Sequence, residues 1–277
     1  MEIIRTIDDL RARLSGEPSV CCVPTMGNIH DGHLSLVEIA LEHAPVTVTT
    51  SFVNRLQFGQ GEDFERYPRT FDDDCAKLEA VGNTIVFHPD EKDMYSEPQA
   101  FFVEPPKVAR TLEGRFRKGH FRGVCTVVLK LFNVVQPQSA VFGKKDYQQL
   151  AIIRHLADQF LLPIRIIPAE TVRAEDGLAL SSRNRYLSTE ERKEAPRLRE
   201  AIVQVSDAIA GGDQRYVAME YAAGALLSRH GWNVDYVVVR NRRDLRRPGP
   251  DDKELVILGA ATLGSTRLID NLEVAVS

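Results

Sequence analysis

Cysteine is scarce in this 277-residue chain, and the four present, Cys21, Cys22, Cys75 and Cys125, include no Cys-x-x-Cys pair. That argues against a disulfide framework or a thiolate zinc cluster and points to a reducing, cytoplasmic setting. An excess of positive charge is missing too. With 35 lysines and arginines against 39 acidic residues the net charge is −4, unlike a general nucleic-acid binder, which is normally basic. No apolar run approaches the length of a membrane span. Glu2 and Arg5 interrupt any signal-peptide pattern at the N-terminus. Internal repeats and low-complexity segments are absent as well. What remains, 43% hydrophobic and 27% charged residues, can bury the core of one large globular domain or two ordinary ones.

What is present is an alternation. Apolar and β-branched runs predict strands over 19–23, 46–53, 84–87, 139–142 and 164–169. Between them, helical spacing predicts helices over 7–14, through Leu34, Leu36, Val37, Ala40 and Leu41, and over 72–81, 124–135 and 148–160. Such alternation implies parallel pairing, so the expected fold class is α/β, a Rossmann-like doubly wound parallel sheet. Ligands of such sheets collect beyond the carboxyl ends of the strands. Near residue 173 the composition turns polar. Beyond it, helical patterns over 189–210 and 216–230 lead into strand-like runs over 234–239, 254–258 and 266–269. The expected domains are a Rossmann-like 1–173 and a smaller α+β domain over 174–277.

The stretch with most chemistry is Pro24-Thr25-Met26-Gly27-Asn28-Ile29-His30-Asp31-Gly32-His33, between the first of those strands and its helix. Unpaired N–H groups at a helix start favour phosphate, and two imidazoles there would add donors. Histidines so placed can also simply cap the helix. The order strand, Gly-containing turn, His-x-Gly-His favours the anion site.

Other candidates lie in loops. Gln57 carries two donors and an acceptor suited to a hydroxy acid. The triplet Asp72-Asp73-Asp74 complements a helix dipole or lies near a metal. The basic run 115–123 suggests an anionic ligand or simply solvated surface charge. In Phe142-Gly143-Lys144-Lys145-Asp146-Tyr147-Gln148-Gln149 a glycine permits close backbone approach and a lysine can reach phosphate. Ser181, Ser182 and Arg183 suit a leaving pyrophosphate, and either serine could instead cap a helix.

Six blocks, 24–37, 52–58, 67–70, 119–123, 142–150 and 178–184, resemble in order and spacing the pantothenate synthetase (pantoate–β-alanine ligase) family, and 263–271 is similar to it too. His-x-Gly-His alone resembles the wider nucleotidylyltransferase superfamily. The resemblance implies an ATP- and Mg²⁺-dependent ligase that joins pantoate to β-alanine through pantoyl adenylate, releasing pyrophosphate and then AMP. It implies ATP contacts at Met26, Gly27, Asn28, Ile29, His30, Asp31, Gly32, His33, Gly143, Lys144, Lys145, Asp146, Val172, Leu180, Ser181, Ser182 and Arg183. His33 would be the proton donor, with His30, Lys145 and Arg183 also catalytic. Gln57 and Gln149 would bind pantoate, and Gln57 also β-alanine. The metal ligands are not identified. The family pattern further implies a homodimer whose C-terminal domain acts as a lid, without nucleic-acid or membrane partners. Three positions depart from it: Arg55 where proline is frequent, Lys144 where glutamate is usual, and Leu180 where methionine is usual. Lys144 would add positive charge near the phosphates. The rivals are another His-x-Gly-His transferase that leaves the nucleotide on its product, and a non-catalytic nucleotide-binding module. Gln57 with Gln149 favours the ligase over the first; the histidine pair and Lys145 weigh against the second.

Overall fold

A computed structural model describes residues 1–59 and 64–276. The chain divides into two compact units, one made of Met1–Gly143 with Gln148–Glu170, the other of Lys144–Tyr147 with the chain from Thr171 onward.

The first unit contains β1 (Glu2–Ile4), α1 (Ile7–Leu14), β2 (Val20–Thr25), α2 (Asp31–His43), β3 (Val46–Ser51), α3 (Phe71–Ala80), β4 (Ile85–Phe87), α4 (Glu91–Met94), α5 (Glu113–Phe116), α6 (His120–Val135), β5 (Ser139–Gly143) and β6 (Arg165–Ala169). Helix α7 (Tyr147–Gln159) contributes all but its first residue. The six strands pair in parallel in the order β1-β4-β3-β2-β5-β6, the doubly wound class expected. Parity explains why both faces are covered. Along β2, Val20 and Cys22 join a core with α1, α6 and α7, while Cys21 and Val23 join one with α2 and α3. The strand order reverses between β2 and β5, and such a switch point is where ligands of these sheets bind.

An unexpected strand and an early helix start are the main departures from expectation in this unit, other boundaries shifting by one or two residues. Strand β1 carries no readable periodicity and exists because Glu2–Ile4 pair with Ile85–Phe87. Helix α6 begins at His120 rather than 124, after Gly119 adopts a left-handed φ of 80°. Its first turn includes Gly123, where an added Cβ would lie 2.2 Å from the Leu56 carbonyl oxygen. Only glycine allows the helix to approach that closely.

The second unit contains α8 (Thr189–Glu194), α9 (Arg197–Ala210), α10 (Tyr216–Arg229) and an antiparallel sheet β7 (Asn233–Asn241), β8 (Glu254–Leu263) and β9 (Thr266–Ala275), in that order across the sheet. Leu198, Ile202, Val205 and Ile209 of α9 and Leu227 of α10 pack with Val239, Leu255, Ile257 and Leu268 of the sheet. The single helix expected over 189–210 is two: Pro196, with no N–H to continue the ladder, stands between α8 and α9. Strand β9 runs six residues past the predicted 269, through Asp270, Asn271 and Glu273. Polar residues in a strand hide it from pattern reading, and the partners that satisfy them are non-local.

Among the described residues no helix is long and apolar enough to cross a membrane.

Candidate active site

The turn leaving β2 is shaped by two left-handed residues, Gly27 (φ 81°) and Asn28 (φ 54°). It is held by Asp74, which sequence reasoning read only as part of an acidic triplet at a helix start or near a metal. The Asp74 carboxylate, 2% exposed, accepts from the backbone N–H of Asn28 at 2.8 Å, that of Ile29 at 2.7 Å and the Thr70 hydroxyl at 3.0 Å. Lys77, one helical turn on, donates to the Ile29 carbonyl at 2.8 Å. Two amides that a phosphate could have used are therefore filled by a carboxylate of α3. Of the acidic triplet, Asp72 and Asp73 are exposed at the helix start and only Asp74 turns inward. Helical spacing from Phe71 and Leu78 puts Asp74, and not Asp72 or Asp73, on the inward face.

His30 and His33 cap α2 reciprocally. His30 Nδ1 accepts from the Gly32 N–H at 3.1 Å, and His33 Nδ1 accepts from the His30 N–H at 3.4 Å. Their rings lie 4.1 Å apart, tilted by 35°. The capping alternative is thus realised, and it has a chemical consequence. A neutral imidazole that accepts at Nδ1 carries its proton on Nε2, so both rings are fixed as Nε2–H donors.

Gln57 sits in a 3-10 turn, Arg55–Gln57, after β3. Asn54 orients it: Asn54 Nδ2 donates to Gln57 Oε1 at 3.1 Å and to the Gly123 carbonyl at 3.2 Å, while its Oδ1 accepts from the Tyr95 hydroxyl at 2.7 Å. Burial pushes the Tyr95 phenol above its ordinary pKa, keeping it a donor. With its oxygen engaged, Gln57 presents its NH₂ group, 3.1 Å from the Met26 sulfur. From the basic run, His120 Nδ1 lies 2.9 Å from the Gln57 carbonyl and Arg117 3.1 Å from His120 Nε2. Arg122 lies over the Phe102 ring and pairs with Glu104. These side chains are engaged by the protein itself. Arg55 is exposed, pairing with Glu91 and stacking 4.1 Å from the Phe64 ring. Adjacent glutamines of α7 differ. Gln148 is buried and spent on the Glu113 N–H and the Val108 and Thr111 carbonyls. Gln149 is half-buried, and its amide makes no hydrogen bond among the described residues.

In the second unit, Lys144–Asp146 form a 3-10 turn. The charge expected of Lys144 is taken up locally: its ammonium lies 2.8 Å from Glu273, which also accepts from the Tyr147 hydroxyl at 2.6 Å and faces Arg242 at 3.1 Å. Burial raises the Glu273 pKa, but the bonds from Lys144 and Tyr147 and the charge of Arg242 outweigh it and hold the carboxyl below its usual range. Lys145 is paired only loosely, 3.8 Å from Asp146. A small hairpin places Val172 opposite Leu180, whose N–H donates to the Val172 carbonyl at 3.0 Å. Ser181 caps the following turn, accepting from the Arg183 N–H at 3.2 Å, so one of the two serines is a cap as the alternative held. Ser182 and Arg183 open that turn, both half-buried.

Among the described residues no three His, Cys, Asp or Glu side chains are grouped to hold a metal ion. A magnesium ion carried on phosphates keeps several waters and needs few protein carboxylates, so it would require no such group.

A doubly wound parallel sheet that delivers a reciprocally capped His-x-Gly-His helix at its switch point defines an α/β protein of the His-x-Gly-His class. The model of the pantoate-β-alanine ligase family matches residues 2–273. The pantothenate synthetase of Nitrosospira multiformis is 58% identical over 274 residues, covering 99% of this chain and 98% of that protein. A pantothenate synthetase structure from Thermus thermophilus superposes with a TM-score of 0.94 at 42% identity, covering 99% of this chain and 100% of that one. A pantoate-β-alanine ligase structure from Francisella tularensis, complexed with beta-gamma ATP and β-alanine, gives 0.81 at 30% identity over 98% and 97% of the two chains. The chain belongs to the pantoate–β-alanine ligase family, enzymes of pantothenate biosynthesis.

Proposed function

We propose that this ligase works in two half-reactions joined by pantoyl adenylate. In the first, a pantoate carboxylate oxygen bonds to the α-phosphorus of ATP, the α–β bridging P–O bond breaks, and pyrophosphate leaves with the electron pair. The Nε2–H groups of His30 and His33 donate hydrogen bonds to the phosphate oxygens that gain charge, His33 serving as the proton-bearing donor without parting with its proton. Lys145 and Arg183 offset the charge of the leaving pyrophosphate. The remaining nucleotide contacts are Met26 to Gly32, Gly143, Lys144, Asp146, Val172, Leu180, Ser181 and Ser182. Gln57, with its NH₂ presented, and Gln149 hold pantoate. Mg²⁺, when bound with the nucleotide, would supply further charge neutralisation. In the second half-reaction the β-alanine amine, beside Gln57, bonds to the pantoyl carbonyl carbon. The C–O bond to AMP breaks, and the amine loses its proton. No protein nucleophile is required, because the substrate carboxylate attacks; the protein's task is positioning and charge stabilisation.

The observation that carries this reading is the reciprocal cap, which fixes two N–H donors at one helix start. The Francisella tularensis relative, whose structure holds beta-gamma ATP and β-alanine, supports the substrates. A homodimer and a cytoplasmic location follow from the same family reading.

With ATP, Mg²⁺ and pantoate but no β-alanine, purified protein is expected to release about one pyrophosphate per site and then stall, because the mixed anhydride is kept from water. Adding β-alanine then releases AMP with pantothenate and restores turnover. Continuous pyrophosphate release without β-alanine, or AMP retained on the product, refutes the two-step reading.

A further inference from the structure

The segment 263–271, which resembles the family yet takes no part in the chemistry above, lies largely on β9 and gathers the loops of the second unit. Asn271 is 6% exposed. Its Nδ2 donates to two consecutive carbonyls, Lys144 at 2.9 Å and Lys145 at 3.0 Å. Both protons of the amide are thereby committed to one turn. Fixing two successive carbonyls fixes the peptide planes that flank Lys145, and with them the direction in which its side chain leaves the backbone. The Asn271 main-chain carbonyl in turn accepts from Arg199 at 3.0 Å. One residue earlier, Asp270 receives a two-pronged bond from Arg173, 2.8 Å on each oxygen. Arg173 also donates to the Gly177 carbonyl at 3.0 Å and pairs across the hairpin with Ala179. Two adjacent residues of one strand thus hold the Lys144–Asp146 turn and the 172–180 hairpin. Polar side chains in a buried strand cost stability unless fully bonded, and here their bonds go to segments whose side chains are assigned to the nucleotide.

We propose that Asn271 is a positioning residue for ATP, acting by aiming Lys145 through its amide bonds to the carbonyls of Lys144 and Lys145. This rests on the reading that Lys145 contacts the nucleotide. Asn271→Asp keeps the shape and turns both donors into acceptors facing carbonyls.

The test measures ATP KM, the pyrophosphate burst, and condensation of β-alanine with pantoyl adenylate supplied from outside. Asn271→Asp is expected to raise ATP KM about tenfold or more and slow the burst, as loss of buried hydrogen bonds to a positioned group does. Pantoate KM, and the rate from supplied adenylate, should stay within about twofold, since neither uses Lys145. A loss spread equally over all three measurements marks a merely structural residue and overturns the proposal. Lys145→Ala is measured in parallel. If it leaves ATP KM and the burst unchanged, the nucleotide reading of Lys145 itself is refuted. If Lys145→Ala is impaired, adding Asn271→Asp should cost less than about twofold further, because residues acting as one unit are not additive. A full multiplicative loss overturns the positioning role. Asn271→Ala, which removes both donors without adding charge, carries the same comparison where the aspartate variant does not fold. If neither variant folds, Asn271 serves stability and the proposal falls.

Discussion

Replacing Asp74 by asparagine changes the electronics of the turn before α2 without changing its volume. In the native protein one oxygen accepts from Asn28 and the other from Ile29 and Thr70. Whichever way an asparagine amide turns, its NH₂ group meets a backbone N–H. The cheaper orientation sets NH₂ toward Ile29, because the Thr70 hydroxyl can rotate to accept, and leaves the Ile29 N–H unpaired. A buried orphan of this kind costs about 1–3 kcal/mol, and losing the charge on the surviving bond adds roughly 1 kcal/mol. At about 2–4 °C per kcal/mol for a unit of this size, the melting temperature should fall by roughly 5–15 °C. The turn also carries His30 and His33, and a shift of about 1 Å there would slow pyrophosphate release on the order of a hundredfold. The assay is thermal unfolding together with single-turnover pyrophosphate release at saturating ATP and pantoate. Asp72→Asn and Asp73→Asn, both exposed, serve as controls and should cost under about 1 kcal/mol. An Asp74→Asn protein with native melting temperature and native burst would show that the carboxylate does not hold the turn.

Two further outcomes follow from other contacts. In Gly123→Ala the new methyl would lie 2.2 Å from the Leu56 carbonyl oxygen and 2.6 Å from the Gln57 nitrogen; we expect a loss of about 1–3 kcal/mol and a higher pantoate KM, and an unchanged pantoate KM would disconnect this contact from Gln57. Glu273 has a depressed pKa in the folded protein, so its contribution to stability is complete above the unfolded value of about 4.3 and is lost as the pH falls through the lower folded value. The stability gap between the native protein and Glu273→Gln should therefore be constant above about pH 5 and shrink in more acid solution; a gap that stays constant through the acid range would refute the ion-pair account.

Much of this molecule is legible from local pattern. The period of the apolar residues sets the helices and strands of the first unit, and their alternation dictates parallel pairing with both faces covered. The spacing His-x-Gly-His after a strand is likewise local, since residues at the cap and third positions of one helix must face each other. In the basic run 115–123 charge density alone says nothing about what each side chain meets: Arg117 lies against His120, and Arg122 against Phe102 and Glu104.

What the sequence by itself determined is therefore the order of the elements, the fold class and the position of the histidine pair, all products of short-range periodicity and capping. Tertiary structure decided which partners complete them. Asp74 reaches the Asn28 amide from 46 residues away, and Glu273 takes up the charge of Lys144 from 129 residues away. The reciprocal cap sets both imidazoles to carry their protons on Nε2. Asn271 holds the carbonyls of Lys144 and Lys145 across 127 and 126 residues of chain. A hydrogen bond depends on distance and direction in space, and nothing in the linear order of residues fixes either until the strands have paired.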